Sequence, residues 1–112
     1  MTELVYYTDE NGHSQITDWL EELDRQASKR VILALDHLEA GNTGKLKSLR
    51  GGLYELRVSH GPGYRVYLGQ EGDRLIILLC GGTKRQQDQD IKRARSLWAA
   101  YKAEKKTQKQ ED

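Results

Sequence analysis

Cysteine and histidine are scarce in this sequence. The single cysteine, Cys80, lies within an apolar run, so the chain cannot form an internal disulfide or a metal site built from several thiolates. The three histidines, His13, His37 and His60, are too far apart in the sequence to predict a zinc site from their spacing. We therefore predict no metal ion and no cofactor.

Long apolar segments are also missing. No run reaches the roughly 18 apolar residues of a membrane-spanning helix. Residues 1–9 contain neither a basic segment nor a hydrophobic stretch of the signal-peptide type. We expect a cytoplasmic protein that does not bind membranes.

The charges are unevenly distributed along the chain, although the net charge is only +1. Residues 1–40 carry a net charge of −6, residues 41–85 a net charge of +5, and residues 86–112 a net charge of +2. A polyanion would therefore bind the middle of the chain. Ordinary surface charge can cluster in the same way, so the pattern by itself does not require such a ligand.

The apolar residues that are present recur with regular periods, which predict the element order β-α-α-β-β-β-α. Ser14 is the expected N-cap of the first helix, and the second helix begins after Asp24. Residues 42–52 are glycine-rich, polar and basic, which is typical of a loop. The predicted strands are residues 3–8, 53–59, 64–69 and 74–80, and the last helix begins near Asp88.

This order predicts an α+β fold. We expect two N-terminal helices packed on a small, mainly antiparallel four-stranded sheet, with a C-terminal helix that also packs on the sheet. The length of 112 residues fits one domain, which we assign to residues 1–102. Residues 103–112 contain Lys, Gln and Glu with no apolar residue beyond Ala103, so we predict a disordered tail.

The predicted hairpin formed by residues 53–69 has one polar face. Alternation places Glu55 and Arg57 on one face of the first strand, and Arg65 with Tyr67 on the corresponding face of the second. We expect these four side chains to line one solvent-facing surface. Glu55 could pair with either arginine as an ordinary cross-strand salt bridge, an arrangement that requires no ligand.

Further basic residues flank this hairpin. Lys84 and Arg85 follow the glycine-rich end of the last strand, where backbone and cationic groups can approach a phosphate closely. Lys45, Lys47 and Arg50 lie in the loop that precedes the hairpin.

An ordered set of segments now points to a family. Residues 49–57 (LRGGLYELR), 63–67 (GYRVY), 79–84 (LCGGTK) and 87–91 (QDQDI) resemble the phage-derived, HigB-like branch of the RelE/ParE toxin superfamily, the addiction module killer proteins. Together with the element order, the resemblance covers about the first hundred residues.

The resemblance implies the toxin of a type II toxin–antitoxin system that acts as a ribosome-dependent mRNA endoribonuclease. In such enzymes a 2′-hydroxyl attacks the adjacent phosphate without a metal ion, and cations stabilise the added negative charge. By position, the catalytic residues would be Arg65, Arg57, Glu55 and Lys84. The residues expected to contact RNA are Lys45, Lys47, Arg50, Tyr67 and Arg85. The implied partners are the ribosome, mRNA and a cognate antitoxin of the helix-turn-helix type.

The sequence also departs from the RelE pattern. RelE carries a lysine at the position of Glu55 and a catalytic tyrosine at the position of Ile91. Glu55 could be the general base or a structural partner of an arginine, and Tyr67 could replace the missing phenol. The alternative function is that of a ParE-like toxin, which shares the fold but poisons DNA gyrase and cleaves nothing.

Overall fold

The computed structural model describes residues 2–111, with side chains described through Thr107. It contains five strands and three α-helices in the order β1 (Glu3–Tyr6), α1 (Gln15–Glu22), α2 (Arg25–Glu39), β2 (Leu46–Ser48), β3 (Leu53–Val58), β4 (Tyr64–Glu71), β5 (Leu75–Thr83) and α3 (Gln87–Glu111). A 3-10 turn, Lys84–Gln86, joins β5 to α3. The predicted α+β class is confirmed.

The sheet differs from the prediction of four mainly antiparallel strands. It has five strands in the order β1-β5-β4-β3-β2. The edge strand β1 runs parallel to β5, and every other pair is antiparallel. The extra strand, β2, lies within the segment predicted to be a loop. It is only three residues long and its single apolar residue is Leu46, so it has too few residues to show an alternating pattern.

The helices cover both faces of the sheet. Helices α1 and α2 begin at side-chain N-caps: Ser14 Oγ accepts a hydrogen bond from the Thr17 amide at 3.3 Å, and Asp24 Oδ1 accepts one from the Ala27 amide at 2.9 Å. Their apolar stripes pack on one face of the sheet with alternate residues of β3, β4 and β5. The opposite face packs against α3. The central strands β4 and β5 are consequently buried on both faces.

Two glycines near the end of β5 make room for side chains from the two helical layers. A register shift between Tyr67 and Leu68 marks a bulge in the pairing of β4 with β5. Beyond it, a Cβ on Gly81 would overlap the Trp19 ring, and a Cβ on Gly82 would overlap the Asp90 carboxylate. The space beside these two glycines is therefore occupied by the protein's own side chains.

Helix α3 is held on the sheet by Trp98. Its ring packs on the Cα of Gly69, where any Cβ would overlap it, and its indole Nε1 donates to the carbonyl oxygen of Gly51 at 2.8 Å. That carbonyl belongs to a run of three left-handed residues, Arg50, Gly51 and Gly52. Part of the LRGG segment at residues 49–52 thus serves to dock α3.

The helix continues through Glu111, beyond residue 102, where the sequence predicted the start of a disordered tail. Two residues of this part contact the folded domain: Glu104 Oε1 accepts from the Tyr7 hydroxyl at 2.8 Å, and Lys105 Nζ lies 3.6 Å from Glu71 Oε1. Polar side chains can extend a helix when they pair with residues of the folded domain. Such pairs cannot be predicted from the polar composition of residues 103–112 alone. Met1 and Asp112, the outermost residues of the predicted domain and tail, lie outside the described residues.

Candidate functional site

The pairing of β3 with β4 brings the predicted site residues together. Glu55 lies opposite Tyr67, and Arg57 lies opposite Arg65, so the expectation that these four residues share one face of the sheet is confirmed. On the other side of β4, Arg65 lies opposite Gly82. Directly opposed residues on neighbouring strands share one face of the sheet, and here it is the face covered by α3.

The predicted solvent-facing surface is wrong for three of these residues. Glu55, Arg65 and Tyr67 are only 1%, 8% and 0% exposed. Local alternation identifies which residues share a face but does not show that a helix more than 20 residues away will cover it. Tyr67, which was expected to contact RNA, cannot do so from this buried position, whereas Arg57 is exposed.

Glu55 is fixed by two partners. Its Oε2 accepts a hydrogen bond from Gln87 Nε2 at 2.7 Å, and its Oε1 lies 3.4 Å from Arg65 Nε. Gln87 was missed as a site residue, because its contact with Glu55 joins positions 32 residues apart and follows no local pattern. The first residue of α3 is thereby connected to the arginine through one buried carboxylate.

Tyr67 and Asp90 add two further buried polar groups beside Glu55. Burial is the main cause that raises the pKa of the Tyr67 hydroxyl, and the nearby Glu55 and Asp90 carboxylates raise this pKa further. Burial likewise raises the pKa of Asp90, while Arg93, 3.7 Å from its Oδ1, opposes that shift. The raised pKa keeps the Tyr67 phenol protonated. For Asp90, burial disfavours the charged form of the carboxyl group.

A cluster of cations lies where this buried network reaches the surface. The backbone amide of Lys84 donates to the carbonyl oxygen of Gly63 at 2.9 Å. A Cβ built on Gly63 would lie 3.6 Å from Lys84 Cβ and 3.9 Å from Arg65 Nη1, so both side chains flank this turn residue. Arg57 stands opposite Arg65 on the neighbouring strand. We call Arg57, Arg65 and Lys84 the cationic rim.

The rim carries an electrostatic cost. Like charges directly opposite each other on neighbouring strands destabilise a sheet, and Arg57 and Arg65 are such a pair. Glu55 offsets part of this cost at Arg65. Arg85 follows Lys84 in the exposed 3-10 turn and extends the positive surface. Such an arrangement can bind a phosphate and stabilise negative charge that develops on it.

The remaining predicted RNA contacts lie outside the rim. Lys47 is exposed on the edge strand β2, opposite Glu55. Lys45 lines a groove beside α2. Arg50 is exposed in the left-handed run beneath α3. His60, in the turn before β4, stacks on the Tyr64 ring at a centroid distance of 6.4 Å.

Clusters of metal-binding side chains and membrane-spanning helices are both absent from the described residues. Among the side chains that the structure describes, no group of three or more His, Cys, Asp or Glu could hold a metal ion. Within residues 2–111, no helix is both long and apolar enough to cross a membrane.

Comparison with known proteins places the chain in a family. The family model described as Phage derived protein Gp49-like (DUF891) matches residues 18–111, and the chain belongs to this family. An uncharacterized protein of Haemophilus influenzae (strain ATCC 51907 / DSM 11121 / KW20 / Rd) is 48% identical over 80 residues, which cover 70% of this chain and 81% of the relative. The family match includes every residue of the cationic rim and its buried support.

Proposed function

We propose that this Gp49-like protein is the toxin of a type II toxin–antitoxin system and cleaves mRNA on the ribosome. The observation that carries the proposal is the cationic rim, in which two arginines face each other across neighbouring strands and a lysine joins them from the next turn. The similarity of the surrounding segments to HigB-like members of the RelE/ParE superfamily supports the same function. The proposed partners are the ribosome, mRNA and an antitoxin of the helix-turn-helix type, and the proposed location is the cytoplasm.

The proposed reaction is an internal transfer of a phosphodiester. The 2′-oxygen forms a bond to the adjacent phosphorus while the bond from phosphorus to the 5′-oxygen breaks, which leaves a 2′,3′-cyclic phosphate. The 2′-hydroxyl loses its proton, and the departing 5′-oxygen gains one. Because negative charge grows on the phosphoryl oxygens, preplaced cations stabilise the transition state more than the ground state.

In this scheme Arg57, Arg65 and Lys84 contact the phosphate, and Glu55 acts through Arg65. Glu55 is 1% exposed, and both of its oxygens already face protein groups. A general base must come within hydrogen-bonding reach of the hydroxyl that it deprotonates. The burial of Glu55 therefore favours the structural alternative: it is a positioning residue that orients the Arg65 guanidinium.

Inducing the protein in bacteria without an antitoxin tests the proposed class of toxin. We expect incorporation of labelled amino acids to stop first, with labelled thymidine following later, because cleavage of mRNA blocks translation directly. The Arg57→Gln variant is the matched control, since this exposed substitution removes one rim cation. Loss of DNA synthesis before protein synthesis would contradict the proposal and favour the ParE-like alternative of gyrase poisoning.

A further inference from the structure

A groove between α2 and β3 differs in chemistry from the cationic rim. It is lined from α2 by Arg30, Leu33 and His37, from the following loop by Lys45, and from β3 by Leu56 and Arg57. None of the described side chains that line it is acidic. This lack of acidic side chains contrasts with the sequence around α2, because the helix belongs to residues 1–40, which carry a net charge of −6.

The groove also contains an exposed apolar side chain and a strand edge. Leu33 is 50% exposed and Ile32 beside it on α2 is 40% exposed, whereas the buried apolar residues of this helix pack on the sheet. Strand β2 pairs only with residues 54–56 of β3. Among the described residues, Arg57 and Val58 therefore have a strand neighbour only on the β4 side. An unpaired strand edge offers backbone donors and acceptors to another chain.

The size of the groove argues for side chains of a macromolecule as its occupants. The groove has a volume of about 130 Å³, which is below the roughly 300–1,000 Å³ of sites that bind drug-sized molecules. RNA can bind the basic side chains of the groove but gains little from its apolar lining. A peptide can contact both the basic and the apolar side chains. A peptide that adds along a strand edge places alternate side chains into such pockets.

We propose that this groove binds an extended, acidic segment of a partner protein, which pairs with the free edge of β3 and inserts an apolar side chain beside Leu33. Arg30 and Lys45 contact the acidic side chains of the segment. Arg57 lines the groove and also belongs to the cationic rim. A bound segment consequently covers one rim cation. This link to activity rests on the proposed function, whereas the binding itself does not.

Peptide binding to the full chain tests the groove directly. The probe is a capped peptide in which Glu and Asp alternate with Leu and Thr, and its control carries Lys in place of each acid. We expect the acidic peptide to bind and the basic one not to bind, with amide NMR shifts changing in residues 30–37 and 56–59. Leu33→Asp and Lys45→Glu should each weaken binding by at least about tenfold, while Arg74→Glu, an exposed charge reversal outside the groove, leaves it unchanged.

Equal binding of the two peptides, or equal affinity for wild type and Leu33→Asp protein with an unchanged melting temperature, would overturn the proposal. So would an RNA oligonucleotide that binds through the same groove residues and displaces the peptide. The outcome is separable from that of the proposed function. Lost peptide binding with intact mRNA cleavage rejects only the groove, and intact binding without cleavage rejects only the nuclease.

Discussion

At the scale of single residues, Glu55 separates two accounts of the chemistry. Its carboxylate contacts Arg65 and Gln87 and is almost fully buried. The Glu55→Gln variant keeps the size of the side chain but removes its charge. If Glu55 only positions Arg65, the variant should cleave more slowly at every pH, with a pH–rate profile of unchanged shape. If Glu55 is the general base, the variant should lose the limb of the profile that reports its ionisation. Single-turnover cleavage measured across the pH range distinguishes the two.

Gly82 gives a second prediction at this scale. A Cβ at this position would overlap the Asp90 carboxylate, which is itself buried. Overpacking of this kind costs about 1–3 kcal/mol, so Gly82→Ala should lower the free energy of unfolding by that amount. Gly44→Ala, in an exposed loop, is the control and should change it by less than about 0.5 kcal/mol. Urea denaturation measures both. Equal stability of the two variants would show that Asp90 does not occupy this space.

At the scale of secondary-structure elements, local patterns predicted some features and missed others. The alternation of Glu55 and Arg57 with apolar residues gave the correct pairing of β3 with β4, because one apolar face had to be buried. The same pattern could not show that the polar face is buried too. That outcome depends on α3, from which Gln87 contacts Glu55 across 32 residues of sequence and Asp90 occupies the space beside Gly82.

The end of α3 supplies the prediction at the element scale. A protein ending at residue 102 loses the hydrogen bond of Glu104 with Tyr7 and the ion pair of Lys105 with Glu71. It keeps Trp98, which packs on Gly69 and donates to Gly51. We expect the shortened protein to fold with a loss of about 2 kcal/mol or less, because these are a single hydrogen bond and a partly exposed ion pair. Thermal and urea unfolding of the two lengths test this expectation. A shortened protein that does not fold would extend the domain beyond residue 102.

At the scale of the whole molecule, the basic groups are distributed by layer. The sheet carries the cationic rim at the ends of β3, β4 and β5, and α3 covers the buried groups that support it. The basic groove lies beyond β3, beside α2. The uneven charge along the sequence indicated that basic residues concentrate in the central segment, which supplies both the rim and Lys45. It could not separate the rim from Lys45, because the two become distinct only when α2 packs beside β3.

The most direct test of the account is mRNA cleavage on programmed ribosomes by three exposed variants: Arg57→Gln, Lys84→Gln and Arg74→Gln. The first two each remove one rim cation, and the third removes a cation outside the rim. All three should keep the wild-type melting temperature within a few degrees. The account predicts that Arg57→Gln and Lys84→Gln each slow cleavage by about 10²-fold to 10³-fold, while Arg74→Gln cleaves at the wild-type rate. Folded Arg57→Gln and Lys84→Gln proteins that cleave as fast as the wild type would contradict it.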